Sequence, residues 1–298
     1  MYRKIMGFLE AWKENEHRKP LILQGARQVG KTYSILEFGR SHYENVAYFN
    51  FETNPKLNET FDENISPDYL IPILSHIAGQ TIVREKTLIV FDEVQLCERA
   101  LTSLKYFCED APGYHIAALG SLLGVAAGRK RFSFPVGKVD MKTLYPMDME
   151  EFMLAVGEDA LAGKIKECFE TDTPMPSALH DAAMQLYRQY LVVGGMPECV
   201  LQFAQTKDYI LVRHTQDTIL ASYLNDMSKY NSVSEIKKTR LAYDNITVQL
   251  SKKNTRFQYK LIKKGGRASE FENAIEWLCL SGIVSQVYKV EQIKKPLE

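Results

Sequence analysis

Gly25-Ala26-Arg27-Gln28-Val29-Gly30-Lys31-Thr32 matches the pattern G-x-x-x-x-G-K-[ST] at every fixed position. Each fixed position has a chemical reason. Glycines admit backbone conformations that turn successive N–H groups inward, onto the oxygens of a phosphate. A helix that starts at the lysine adds its free N–H groups and the positive end of its dipole. Lys31 then reaches the β- and γ-phosphates of ATP, and the Thr32 hydroxyl is a ligand for Mg²⁺. All eight residues are expected to contact the nucleotide.

Leu88-Ile89-Val90-Phe91 is a continuous apolar run that ends in two carboxylates, Asp92 and Glu93. On a strand beside the phosphate loop, Asp92 would hold Mg²⁺, directly or through water. Glu93 would polarise an attacking water as general base. By itself such a pair reads more readily as solvated acids at a strand end. Sixty-one residues after Lys31, with one strand between, Asp92 reads as a metal ligand.

The elements around these residues follow from hydrophobic period and breakers. Residues 2–14 carry Ile5, Phe8, Leu9 and Trp12 at helical spacing, and Lys19-Pro20 stops them. Strands are expected at 21–23, 46–51, 87–91 and 114–119, with a further one at 139–144. Helices are expected from Lys31 to about Arg40, after Asn54-Pro55 and Ser66-Pro67, and over 99–109. Strands alternating with helices argue for a parallel α/β sheet. From Met149 to Met227 the signals are nearly all helical, broken at 173–176 and at Gly194-Gly195-Met196-Pro197. Residues 234–290 read as helix, turn, helix and wing, with Phe271, Ile275 and Leu278 on one helix face. The expected organisation is a phosphate-binding core at 1–147, a helical lid at 148–230 and a basic winged-helix segment at 231–298.

Composition excludes several classes. The 298 residues are 45% hydrophobic and 25% charged, a globular profile, with 37 basic and 37 acidic residues. The balance is uneven along the chain. From Ser228 onward fourteen basic residues face seven acidic ones, a net +7, which leaves −7 for the rest. That asymmetry hints at an anionic partner for the basic part, DNA above all. Five cysteines without a Cys-x-x-Cys pair read as reduced thiols of a cytoplasmic protein. The charged, amphipathic N-terminus lacks the apolar core of a signal peptide, and no membrane span is expected, since no run approaches 18 apolar residues. The six histidines share no metal or nucleophile spacing.

Residues 25–32, Phe91-Asp92-Glu93-Val94-Gln95 and Ala118-Leu119-Gly120-Ser121-Leu122-Leu123 together resemble a family of prokaryotic AAA+-type ATP-binding proteins. The resemblance extends to residues 134–139, 144–152 and Val193-Gly194-Gly195-Met196-Pro197-Glu198. It implies an AAA+ core, a helical lid and a winged helix. It also implies a further C-terminal domain with a nuclease-like fold, which these residues are expected not to contain. It assigns Ser121 to the sensor position that feels the γ-phosphate; the alternative is a small helix-capping residue. Arg129, Lys130 and Arg131 would supply an arginine finger to a neighbouring subunit, or form a solvated loop. Gln95 is a candidate for a place near the phosphates. The Arg27 side chain is expected to point outward, toward a partner. The implied activity is a nucleotide-dependent switch acting on a macromolecular partner, in a homo-oligomer or with another protein. The alternative is a nucleic-acid-binding module that keeps ATP as a structural ligand. The winged helix itself would serve DNA binding or protein contacts.

Overall fold

The computed structural model describes residues 1–121, 135–230, 233–252, 256–288 and 290, with the backbone alone at 226–230 and 233. The chain divides into two compact units, Met1–Ser222 and Tyr223–Glu298.

The first unit is built on a five-stranded parallel sheet in the order β2-β3-β4-β1-β5. Its strands are β1 (Leu21–Gly25), β2 (Asn45–Asn50), β3 (Thr87–Asp92), β4 (His115–Ser121) and β5 (Asp140–Leu144). Helices α1 (Ile5–Glu14), α2 (Lys31–His42), α3 (Leu57–Glu63), α4 (Pro67–Ala78) and α5 (Glu98–Asp110) alternate with the strands. Every residue of β3 is buried, as a strand covered on both faces requires. On one face Phe49, Phe51, Phe61 and Phe91 meet edge to face at centroid distances of 5.6–6.1 Å. Leu70 and Leu74 of α4 and Leu104 and Phe107 of α5 complete that core. On α1 the residues spaced for one face, Ile5, Leu9 and Trp12, are buried, and the Trp12 indole N–H caps the Lys19 carbonyl at 2.9 Å.

Five helices continue the chain: α6 (Met149–Ala155), α7 (Asp159–Glu170), α8 (Ser177–Val193), α9 (Pro197–Thr206) and α10 (Tyr209–Tyr230). Asp148 opens α6 with a reciprocal cap: its carboxylate accepts from the Glu151 N–H, and the Glu151 carboxylate accepts from the Asp148 N–H. Gly194 ends α8 and Pro197 starts α9 at its first turn, so the Gly-Gly-Met-Pro break falls where the sequence expects it. Phe152 of α6 stacks on Phe203 of α9, 6.0 Å between centroids.

The second unit contains α11 (Val233–Leu250), a 3-10 turn (Tyr259–Leu261) and α12 (Ala268–Leu280). Phe271, Ile275 and Leu278 are buried together on α12, as their spacing predicts, joined by Ala274 and Trp277. The buried Gln249 amide pairs with the backbone of Gln258 as another peptide would, accepting from its N–H at 2.7 Å and donating to its carbonyl at 3.1 Å. The alternating segment 283–290 forms no strand among its described residues. Its first residues, Ile283 and Val284, donate instead to the Leu278 carbonyl of α12, at 3.1 and 3.4 Å. Among the described residues no helix is long and apolar enough to cross a membrane.

Candidate nucleotide-binding site

In parallel sheets of this kind, ligands bind outside the carboxyl ends of the strands. Pairing register aligns those ends here: Gly25 of β1 lies opposite both Ser121 of β4 and Leu144 of β5, and Asp92 of β3 lies opposite Asn50 of β2. Gly25 has no room for a side chain, since a Cβ would stand 2.3 Å from the Leu144 carbonyl oxygen. The chain then leaves β1 through Ala26 to Gly30, with φ of 62° at Gln28 and 88° at Gly30. Such left-handed turns between right-handed ones aim successive N–H groups into one concavity. Gly30 adopts this conformation freely, whereas Gln28 does so at a cost of order 1 kcal/mol. Gly30 caps α2, whose first residue is Lys31.

The Lys31 side chain folds back under the loop. Its ammonium donates to the carbonyls of Gly25 at 3.0 Å and Ala26 at 2.9 Å, and the residue is 9% exposed. Burial pushes its pKa below the usual lysine value, opposed by the charges of Glu93 and Asp92 and assisted by Arg27. Arg27 is half-buried, and its charge acts on Lys31. Gln28 is exposed; Ala26 and Val29 are buried.

Asp92 is 5% exposed and fully engaged. Its Oδ2 accepts from Thr32 Oγ1 at 2.9 Å and from the Tyr48 hydroxyl at 2.7 Å, and its Oδ1 accepts from the Glu93 N–H at 2.9 Å. Tyr48 in turn accepts from Asn50 Nδ2 at 3.1 Å. Partial burial, with the bond to Asp92, raises the Tyr48 pKa to about 12. Glu93 sits at φ 53°, a strained value for a side chain of its size, and Gln95 Nε2 donates to its Oε2. Ser121 ends β4 beside Gly25. Residues 25–32, Asp92, Glu93, Gln95 and Ser121 thus share one end of the sheet. Arg129, Lys130 and Arg131 lie outside the described residues.

Three contributors escaped the sequence reading. Tyr48 reaches Asp92 from β2. A side chain at Gly30 would come within 3.8 Å of Pro197 Cγ and 3.6 Å of Arg3 Nη1, so the start of α9 and the N-terminus both border the loop. The one available signal was the alternation of β2, which puts Tyr48 and Asn50 on one face.

The residues present fit Mg²⁺ and a triphosphate. The Thr32 hydroxyl and the Asp92 carboxylate are already in contact, both hard oxygen donors. Among the described residues no three His, Cys, Asp or Glu side chains converge to hold a metal. Mg²⁺ takes one or two protein ligands and completes its shell with phosphate oxygens and water, and this pair could supply those protein ligands.

Comparison with known proteins agrees with this geometry. Residues 17–153 match the AAA domain, and residues 184–297 match a domain of unknown function (DUF8612). No curated protein matches the chain. Among solved structures, the chain is similar to a Walker-type ATPase of Pyrococcus abyssi. That match has 14% identity and a TM-score of 0.53, and covers 94% of this chain and 89% of the other. It also aligns with the RuvB Holliday junction branch migration motor of Thermotoga maritima at 13% identity and a TM-score of 0.39, covering 95% and 88%. The part of the chain that carries the phosphate loop and all five strands of the parallel sheet is thus the part that matches the AAA domain.

Proposed function

We propose that this protein binds ATP with Mg²⁺ across residues 25–32, hydrolyses it slowly, and uses the two states to change its grip on a macromolecular partner. The observation that carries the reading is the contact of Thr32 Oγ1 with Asp92 Oδ2, above a buried Lys31 that faces the same loop. Two elements far apart in the sequence supply these groups, α2 and β3, so chance adjacency is a poor account of them.

In this reading the loop N–H groups and Lys31 bind the phosphates, and Thr32 with Asp92 would hold Mg²⁺. The metal, when bound, neutralises phosphate charge as the terminal P–O bond breaks. Tyr48 holds Asp92 in place through its hydroxyl. Glu93 takes the proton of the attacking water. For that its carboxylate must turn from the Gln95 amide toward the phosphates, a rearrangement that slows turnover. Ser121 lies one strand away from the loop and would sense the terminal phosphate. Helices α6 to α10 would act as the lid, because the α9 start borders Gly30. The division into core 1–147, lid 148–230 and C-terminal segment 231–298 is the organisation proposed for this switch.

The test is a steady-state phosphate-release assay. Turnover that depends on Mg²⁺ and falls sharply in Glu93→Gln supports hydrolysis. Tight ATP binding with no turnover in the wild type favours instead a nucleic-acid-binding module with ATP as a structural ligand. The specific observation behind that second reading is the basic second unit, where Arg256, Gln258, Tyr259 and Lys260 line an open cavity of about 480 Å³. Cations interleaved with an aromatic ring suit a nucleic-acid backbone.

A further inference from the structure

Arg3 is 5% exposed, and all its described partners are fixed groups of other elements. Its Nη1 donates to the Val29 carbonyl at 2.8 Å, its Nη2 to the Tyr145 carbonyl at 2.7 Å, and its Nε to Glu151 Oε1 at 3.1 Å. The Glu151 carboxylate, equally buried, also accepts from the Lys4 N–H at 2.6 Å and from the Asp148 N–H at 3.3 Å. A buried guanidinium needs a counter-charge and a partner for each donor edge, and this one has both. Only one of its three bonds reaches the phosphate loop, and that bond falls on a particular peptide.

We infer that Arg3 is a positioning residue of the nucleotide site, setting the direction of the Gly30 N–H by holding the Val29 carbonyl. The reason is peptide geometry. A trans peptide is planar, with its C=O and N–H pointing opposite ways. Val29 C=O and Gly30 N–H belong to one peptide. Anchoring the carbonyl behind the loop therefore turns the N–H into the concavity in front. Gly30 needs such an anchor because glycine resists no rotation of its own. Glu151, by contrast, does not touch the loop. It balances the charge of Arg3 and ties it to the cap of α6. A shift of α6 would therefore pull on the same peptide, which links the lid helices to the phosphate loop.

The inference rests on the nucleotide reading above for its purpose, but not for its geometry. It is tested with Arg3→Met, Arg3→Lys and Glu151→Gln. Glutamine keeps an acceptor for Nε, so Glu151→Gln leaves the Val29 bond in place while removing the counter-charge. Melting temperatures report the structural damage of each variant. Dissociation constants for a fluorescent ATP analogue, taken well below those temperatures, report the site. The expected result is that Arg3→Met weakens binding at least tenfold, Arg3→Lys recovers part of the loss, and Glu151→Gln changes binding less than threefold although it lowers the melting temperature as much. Losses of affinity that simply follow the melting temperatures across the three variants would overturn the inference. The amide resonance of Gly30 in nucleotide-free protein is the second readout. It should shift in Arg3→Met and stay in Glu151→Gln; an unmoved resonance in Arg3→Met refutes the claim. If the wild type binds no ATP analogue, the nucleotide reading fails, and the Gly30 resonance still decides the role of Arg3.

Discussion

Replacing Lys31 by alanine should separate binding from folding. The ammonium lies under the loop on two neutral carbonyls, Gly25 at 3.0 Å and Ala26 at 2.9 Å, with Glu93 and Asp92 near enough to act on it. A phosphate oxygen about 4 Å away attracts it by about 4 kcal/mol at an effective dielectric constant of about 20. Moving toward the phosphate gives up one carbonyl bond, worth about 1.5–3 kcal/mol to a charged donor, so the net loss is about 1–2.5 kcal/mol. That is a dissociation constant weaker by roughly five- to seventyfold. The nucleotide-free fold should hardly notice. Burial lowers the lysine pKa, so the folded state disfavours the charge that alanine removes. Because the folded pKa lies below the unfolded 10.5, the wild type gains stability as pH rises toward 10.5 and loses it as pH falls through the folded value. Alanine should erase that alkaline gain. Titration of a fluorescent ATP analogue at neutral pH, with urea melts from pH 8 to 10.5, measures both effects. An unchanged dissociation constant would sink the assignment of residues 25–32.

Three further outcomes follow from the same structure. Glu93→Gln should leave ATP affinity near the wild-type value and slow phosphate release about 10²–10⁴-fold, whereas Asp92→Asn should weaken the Mg²⁺-dependent part of binding itself; identical behaviour of the two variants would contradict separate roles. Acid should destabilise the first unit through His115, which is 4% exposed, bonded to the Tyr43 hydroxyl at 2.7 Å and held at a pKa of about 4, chiefly by burial and then by Arg18 and Lys13. The folded value lies below the unfolded 6.5, so stability is full above pH 6.5 and falls by up to about 3 kcal/mol toward pH 4; chemical melts across that range should show this loss in the wild type and not in His115→Phe, and parallel curves would mean that another group is responsible. For the basic segment, changing Lys252, Lys253 and Arg256 to alanine should flatten the plot of log DNA affinity against log salt by up to roughly three units, at unchanged ATP affinity; a wild type that binds no DNA at about 50 mM salt removes DNA as the partner.

What could be read from the sequence, and what could not, divides by the distance over which a residue acts. The phosphate loop was legible because eight consecutive residues carry both the backbone freedom and the charge that the chemistry needs. The strand ending in Asp92 was legible because a parallel strand buried on both faces is apolar at every position, so its first carboxylate marks its end. The helix of Phe271, Ile275 and Leu278 followed from period alone. The expected wing did not form among the described residues of 283–290. Alternation says only that a segment could be half-buried, and a strand exists only where a second one pairs with it. Tyr48 and Arg3 mark the deeper limit. Tyr48 acts on a residue 44 positions away and Arg3 on one 148 away, and neither neighbourhood in the sequence hints at the bond. A tyrosine on an amphipathic strand is ordinary, and so is an arginine before a helix. Each gains its meaning when the sheet order sets β2 beside β3, and when β5 carries the chain up to the loop's edge, where Tyr145 and Glu151 meet Arg3. The motif therefore suggests the ligand, but the groups that hold the motif in shape come from elsewhere in the chain. Substitutions at Tyr48 or Arg3 should then disturb the site while leaving every recognisable sequence signature intact.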